Sequence, residues 1–305
     1  MAVNLSAIRD LLLPGLRKVT GEYKDLPRLY DKVFDSGTSR MQVERVASMR
    51  YLGMAALKAD GGPTYMDNNA GEAFVYNQIH IGVSIGYAIT RNAIDDNLYK
   101  AQFKPSNLGL QKSMNQFKEI QGANVLNLAG TYNSSIGGDG VSLLNTAHPI
   151  PAGGTFANRP AIDVDLNEAS LLAGMASVRK NFRDNAGLRM MARARKLIVP
   201  IALEPVAIRL VKTELRPGTA DNDVNAILST SGGLPEGHFV YDYLTSDYAW
   251  FLKTDIPGLQ FLQRIPYETD MQVDFTTDNL LVKAFERFSF SYNDPRALYG
   301  SLATA

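Results

Sequence analysis

The most constraining feature of the chain is a run of strict alternation between residues 78 and 90. Ile79, Ile81, Val83, Ile85, Tyr87 and Ile89 alternate with Gln78, His80, Gly82, Ser84, Gly86, Ala88 and Thr90. Period two sustained this long dictates a β-strand with one apolar face. Upstream, Val43 to Leu57 leads into Asp60-Gly61-Gly62-Pro63, a dense turn signal. The two limbs together predict an extended ribbon over 41–91, with its tip at Asp60, Gly61, Gly62 and Pro63. A two-stranded ribbon is marginal by itself in water, so some other surface must cover it.

Residues 1–40 read as an arm. Ile8, Leu11, Leu12 and Leu13 form a short apolar patch ended by Pro14-Gly15, and the stretch to Arg40 scatters Leu26, Leu29, Tyr30, Val33 and Phe34 among charges. So little apolar surface needs a partner surface to become ordered. From about Asn92 to Gly130 the period turns helical, with Met114, Phe117, Ile120 (or Gln121), Val125 and Leu128 on one face, Pro105-Ser106 as the entry to its main part and Gly130 as exit. A Gly- and Ser-rich loop reaches about Asn158. A second helix starts at a capping pattern, Asp165 with Glu168, buries Leu171, Met175, Val178 and Phe182, and closes at Gly187. Leu197-Ile198-Val199-Pro200 reads as a short buried strand. Glu204-Pro205 opens a third helix with Val206, Leu210 and Val211 inward. The remainder is mostly β: paired strands over 238–243 and 248–253, another over 259–263, and a long final strand, Leu280 to Tyr292. The class is α+β.

The chemistry of catalysis is sparse. The chain has no cysteine, which removes disulfides, thiolate metal sites and Cys nucleophiles together. Its three histidines, His80, His148 and His238, share no metal-ligand spacing, and no phosphate or dinucleotide loop occurs. No cofactor or metal site is expected. Gly82-Val83-Ser84-Ile85-Gly86 fits the nucleophile elbow of serine hydrolases, for which His148 or His238 would supply the base. An elbow demands a sharp turn, however, and the alternation runs straight through Ser84. Ser84 therefore reads as a polar-face strand residue, and its small neighbours as a close-packed partner surface. Asp95-Asp96, near a helix start, suits the helix dipole better than an acid/base pair. No signal peptide and no membrane-length apolar run is evident, so a soluble protein that starts in the cytoplasm is expected. Lys plus Arg, 31, equals Asp plus Glu, 31, which argues against strong overall phosphate binding.

The last third carries a resemblance. Ala249-Trp250-Phe251-Leu252-Lys253, Gly258-Leu259-Gln260-Phe261 with Arg264, Asp278-Asn279-Leu280 leading into Lys283-Ala284-Phe285-Glu286-Arg287-Phe288, and the ending Asp294-Pro295-Arg296-Ala297-Leu298-Tyr299-Gly300-Ser301 stand in the order and place seen in major capsid proteins of tailed bacteriophages. The chain resembles the Hong Kong 97-like fold, and among its members the Mu-like major head subunits most. The resemblance implies an N-terminal arm at 1–40, an E-loop β-hairpin at 41–91, a P-domain with a spine helix at 92–199, a β-rich A-domain at 200–256 and a return to the P-domain at 257–305.

By the same resemblance the chain is a shell subunit and not an enzyme. It is expected to assemble in the bacterial cytoplasm into hexamers and pentamers of an icosahedral virion capsid around double-stranded DNA. A separate scaffolding protein, a portal and a decoration protein are the implied partners, with no membrane. Some family members cross-link a loop lysine to a neighbour's asparagine. The matching positions here are Lys58, near the ribbon tip, and Asn279, at the start of the last strand. The basic run Arg189, Arg193, Arg195 and Lys196 reads as a solvated or inter-subunit face, with a DNA-facing patch as the other reading. Two alternatives stand beside the capsid: an encapsulin-type compartment shell, and a serine hydrolase using Ser84.

Overall fold

The computed structural model describes residues 26–96, 99–133, 138–214, 225, 227–228 and 233–303. The first part of the arm, including Ile8 and Leu11 to Leu13, lies outside them. In chain order the strands are β1 (Asp35–Thr38), β2 (Val43–Arg50), β3 (Gly71–Ile79) and β4 (Ile81–Ile89). Helices α1 (Arg91–Asp95) and α2 (Tyr99–Asn127) follow, then the small strands β5 (His148–Pro149) and β6 (Thr155–Phe156). Next come α3 (Glu168–Asn181), β7 (Ala194–Val199), α4 (Glu204–Lys212), β8 (His238–Val240), β9 (Trp250–Thr254), β10 (Leu259–Val273), β11 (Leu280–Tyr292) and β12 (Leu298–Ser301).

Two four-stranded sheets organise these elements, one in the order β1-β10-β11-β4 and the other β12-β9-β7-β8. The first is built on β11, whose alternation puts Leu280, Val282, Ala284, Glu286 and Phe288 inward. Its partner β10 loses register twice, between Gln263 and Ile265 and between Ile265 and Glu268, and the second shift spans Pro266, which has no N–H to give the ladder. The long helix α2, about 44 Å at 1.5 Å per residue, lies across the inner face of this sheet. Phe103, Leu110 and Met114 pack on Met271, Val282 and Ala284. Further along, Ala123 and Leu126 join Tyr30, Phe34, Phe261 and Phe288 in a core that continues into Ile198, Phe239 and Phe251 of the second sheet. On that sheet α3 sets Leu171 and Val178 among Trp250, Leu252 and Tyr299. The approach is so close at Gly174 that a Cβ would stand 2.9 Å from the Tyr299 ring.

The alternating segment is a strand, β4, but it is not the ribbon's return limb. It pairs antiparallel with β11, from Ile81 opposite Phe288 to Ile89 opposite Leu280. The return limb is β3, which pairs with β2. The changeover falls at His80, which is buried and whose Nε2 lies 2.8 Å from Ser39 Oγ. One unbroken alternation in the sequence thus serves two different pairings, and Val83, Tyr87 and Ile89 of β4 extend the inner face of the β11 sheet.

The helix faces differ from the sequence reading as well. Phe117, Ile120 and Leu128 of α2 point outward, while Asn107, Gln111, Lys118 and Glu119 are buried. Two of these polar groups are matched across the fold. Lys118 pairs with Glu286, which also accepts from Gln263 Nε2 at 2.9 Å. Glu119 accepts the backbone N–H groups of Leu29 and Tyr30, at 2.7 and 3.1 Å. Periodicity ranks side chains by apolarity, so it was right for Met114 and Val125, which pack on the core, and wrong for Phe117, Ile120 and Leu128. Helix α2 also begins before Pro105 and runs through it.

Three further expectations are corrected. The α3 cap is Asn167 with Ser170, not Asp165 with Glu168. Strands β8 and β9 are not paired with each other but flank β7, one parallel and one antiparallel. And the later part of the 1–40 arm is not left for a neighbour to cover: Tyr30, Val33 and Phe34 are fully buried in this chain's own core, and β1 runs parallel to β10. The second sheet also crosses the expected bounds of 200–256, since β7 and β12 lie outside them.

The Lys118–Glu286 pair sits where water does not reach, so removing one partner strands the other as a buried charge. Lys118→Ala is expected to cost about 3–5 kcal/mol in urea unfolding of the unassembled chain. The double variant Lys118→Met/Glu286→Gln keeps an acceptor for Gln263 and should recover most of that loss.

Candidate assembly surfaces

No catalytic constellation forms around the residues the sequence offered for one. Ser84 lies in the middle of β4, exposed and opposite Phe285, with no turn near it. His148 is buried elsewhere, its Nδ1 2.5 Å from Asp139 Oδ2 and its Nε2 3.0 Å from Asn158 Oδ1. Both amide hydrogens of Asn158 are taken up by the carbonyls of Leu143 and Pro295, so its oxygen accepts from the imidazole. His148 thus fastens a loop. His238 starts β8, and burial holds its imidazole below the usual histidine range. Among the described residues no group of three His, Cys, Asp or Glu side chains could hold a metal, and no helix is long and apolar enough to cross a membrane.

What the chain does present is a set of surfaces that none of the described residues cover. The ribbon is one of them. Its base is fastened firmly. Gly138 N–H donates to Val75 O at 2.7 Å, Asn185 Nδ2 to Met49 O at 2.9 Å, and Gln78 Nε2 to Asn293 Oδ1 at 2.5 Å. Gly138 has φ +100°, and a Cβ there would meet the Tyr76 ring at 2.4 Å, so only glycine lets the loop close on the ribbon. Between Ala47 and Met49 the ladder shifts register, and the Ser48 hydroxyl takes its place, accepting from Phe74 N and donating to Phe74 O.

Beyond Arg50 and before Gly71 the two limbs leave regular pairing. The Asp67 carboxylate ties them by accepting from Gly53 N at 2.6 Å and from Asn69 N at 3.0 Å, and these N–H donors hold it below the usual carboxylate range. The chain reverses at Ala59 to Gly62, where Gly62 N donates to Ala59 O and Gly61 takes φ +70°. Asp60, Gly61 and Gly62 therefore form the reversal, with Pro63 exposed just past it. Along this tip Tyr51, Leu52, Met54, Leu57, Tyr65 and Met66 are all exposed. Six large apolar side chains on one thin projection are far more than the scattered singles of an ordinary surface.

A groove of about 650 Å³ runs between the outward side of α2 and the β3–β4 junction, lined by Ile79, Ile81, Val125, Leu128, Tyr132 and Phe290 among others. Beside it β4 ends the first sheet, its outer edge unpaired among the described residues. The sequence reading assigned Leu128 to the core. Only the polar residues buried on the other side of α2 reveal the true orientation, and nothing in one sequence marks them.

Lys58 is exposed on the ribbon tip. Asn279 lies just before β11, half-buried, its Oδ1 accepting from Arg91 N at 3.3 Å. No hydrogen bond joins the two within one chain. The closing segment that carried the resemblance is a buried lock: Pro295 to Ser301 are all buried. Arg296 donates to Arg183 O at 2.6 Å and to Asn185 Oδ1 at 2.8 Å, and stands 4.7 Å over the Phe156 ring.

The same arrangement is found in known proteins. The profile of the family described as phage capsid protein matches residues 84–301. No curated protein matches the chain in sequence. Among solved structures, one from Microbacterium phage Oxtober96 superposes with a TM-score of 0.54 at 11% identity, over 90% of this chain and 91% of that one. The capsid of a native GTA particle gives 0.56 at 9%, over 92% of each. A virus-like particle from Pyrococcus furiosus gives 0.52 at 10%, over 94% of this chain and 97% of that one. At such identities the superpositions establish the fold, which is Hong Kong 97-like, and the profile establishes the family. The chain belongs to the phage capsid protein family, a structural protein of the virion shell and not an enzyme.

Proposed function

We propose that this chain is the major head subunit of a tailed phage, copied into hexamers and pentamers of an icosahedral shell that encloses double-stranded DNA. The observation that carries this reading is the ribbon, anchored at its base and bare at its tip. Tyr51, Leu52, Met54, Leu57, Tyr65 and Met66 have no partner surface among the described residues of their own chain, and a second copy is the surface always present in a homo-oligomer. Obligate interfaces of roughly 2,000–5,000 Å² bury such apolar area on neighbours. The groove beside α2 and the open edge of β4 are the complementary kind of surface. In this reading the first sheet with α2 forms the peripheral domain and the second sheet with α3 and α4 the central one.

The partners belong to the same proposal. A separate scaffolding protein directs curvature, a portal admits the genome, a decoration protein can seal the outside, and assembly takes place in the host cytoplasm. An encapsulin-type compartment would use the same fold around protein cargo. The family profile, which is that of phage capsids, favours the genome container.

Lys58 and Asn279 enter as an inter-subunit contact. A covalent bond between them would form by attack of the Lys58 amine on the Asn279 carboxamide of a neighbour, with ammonia leaving. Asn279 Oδ1 is already engaged by the Arg91 N–H. As a non-covalent contact the pair leaves a single species at the intact monomer mass in the mass spectrum of denatured shells. Oligomers lighter by one ammonia per bond would establish the covalent form instead.

The ribbon is tested by charge. Met54→Glu/Leu57→Glu should leave the unassembled chain folded, within about 0.5 kcal/mol of the parent, as exposed substitutions generally do. It should abolish sedimenting shells. Shells at the parent yield would contradict the ribbon's role.

A further inference from the structure

The chain is electrically neutral as a whole, but its charge is not evenly spread. Between residues 179 and 196 stand Arg179, Lys180, Arg183, Arg189, Arg193, Arg195 and Lys196 against one acid, Asp184. Folding gathers three of these cations around one cleft. Arg179 comes from the last turn of α3, and Arg193 and Arg195 flank the buried Ala194 where β7 begins. Together with Met175, Pro235 and Asp255 they line an open cleft of about 530 Å³.

Three acids stand nearby and offset this charge only in part. Asp184 Oδ1 accepts from Ala186 N and Leu188 N in a turn. Asp255 Oδ1 accepts from the backbone N–H of Arg193 at 2.9 Å. Glu236 pairs closely with Lys196, at 2.9 Å, and reaches Arg195 only at 3.9 Å. Among the described residues neither Arg179 nor Arg193 has an ion-pair partner, and both are exposed. The β7–β9 ladder slips by one residue between Ala194 and Lys196, a bulge that turns Arg195 out of the sheet. An isolated surface arginine is unremarkable. Three converging from two elements, in a neutral chain, concentrate a positive potential that attracts polyanions.

Resting on the shell reading above, we infer that the Arg179–Arg193–Arg195 cleft binds the phosphodiester backbone of double-stranded DNA and marks the face of the subunit turned to the packaged genome. Guanidinium groups take phosphate oxygens through paired N–H donors, and such contacts are independent of base sequence, as a container of any genome requires. Exposed, separately mounted arginines suit a long, regular polyanion better than a single carboxylate.

The test uses the full unassembled chain and a fluorescein-labelled DNA duplex, read by fluorescence anisotropy across a salt series. Arg179→Gln/Arg193→Gln/Arg195→Gln should weaken binding by at least about tenfold and lower the slope of log K against log salt by roughly 0.9 for each of the three lost phosphate contacts. Arg179→Gln alone, on an exposed helix end, should lower it by about one contact and serves if the triple variant misfolds. An unchanged slope overturns the proposal. So does a wild-type chain that binds poly-glutamate through the same arginines and does not bind DNA, an outcome that would assign the cleft to an acidic protein. Electron microscopy of the same samples separates the two readings. If the parent forms shells and the variant's DNA binding is unaltered, the cleft proposal alone falls. If the parent forms no shells, the shell reading falls whatever the DNA result.

Discussion

One turn of the long helix α2 holds the subunit together. Lys118 faces Glu286 of β11, and its neighbour Glu119 takes the backbone N–H groups of Leu29 and Tyr30. The Tyr241 hydroxyl, from beyond β8, donates to the Glu119 carbonyl at 3.0 Å. Burial lowers the Lys118 pKa and raises that of Glu119, so both charges depend on these partners to remain inside. Apolar packing alone is indifferent to small slips of a helix along a sheet. A buried ion pair and a carboxylate bridging two segments are not, because a slip leaves a charge or a donor unmatched. The helix, the first sheet, the incoming chain and the second sheet therefore meet in a single register.

That rigid centre gives the bare surfaces their meaning. The ribbon is tied at its base through Gly138, Asn185 and Gln78, and its regular ladder is interrupted once, at Ser48. Its tip therefore leaves the body from a fixed origin, carrying apolar side chains that water disfavours. A shell built from one kind of chain needs such a combination. Each copy must hold its own shape before assembly and must gain most from burying what it cannot cover itself. The outward residues of α2 and the unpaired edge of β4 offer the same incentive from the receiving side.

Much of this was legible in the sequence, and the parts that were not share a cause. The strand Leu280–Tyr292, the helix opened by Glu204-Pro205, and the tip at Gly61-Gly62 follow from local chemistry: alternation, a proline in the first turn, and glycines that accept a left-handed turn. The pairing of β4 with β11 does not, because alternation fixes which face is apolar but not which strand lies alongside. Helix α2 was misread in part for a related reason. Its buried side also carries Asn107, Gln111, Lys118 and Glu119, and the partners of the last two, Glu286 and the backbone of Leu29 and Tyr30, lie far away in sequence. The cation cleft was half visible, as the run from Arg189 to Lys196. Arg179 joins it only through the fold.

The central claim is that the chain's uncovered surfaces are covered by further copies of itself. Cryo-electron microscopy of the purified full-length protein, alone and with added scaffolding protein, tests this most directly. Closed shells of uniform size are expected, with the 51–66 tip of each subunit resting on a neighbour. Discrete monomers or dimers at every concentration and with scaffold present would contradict it.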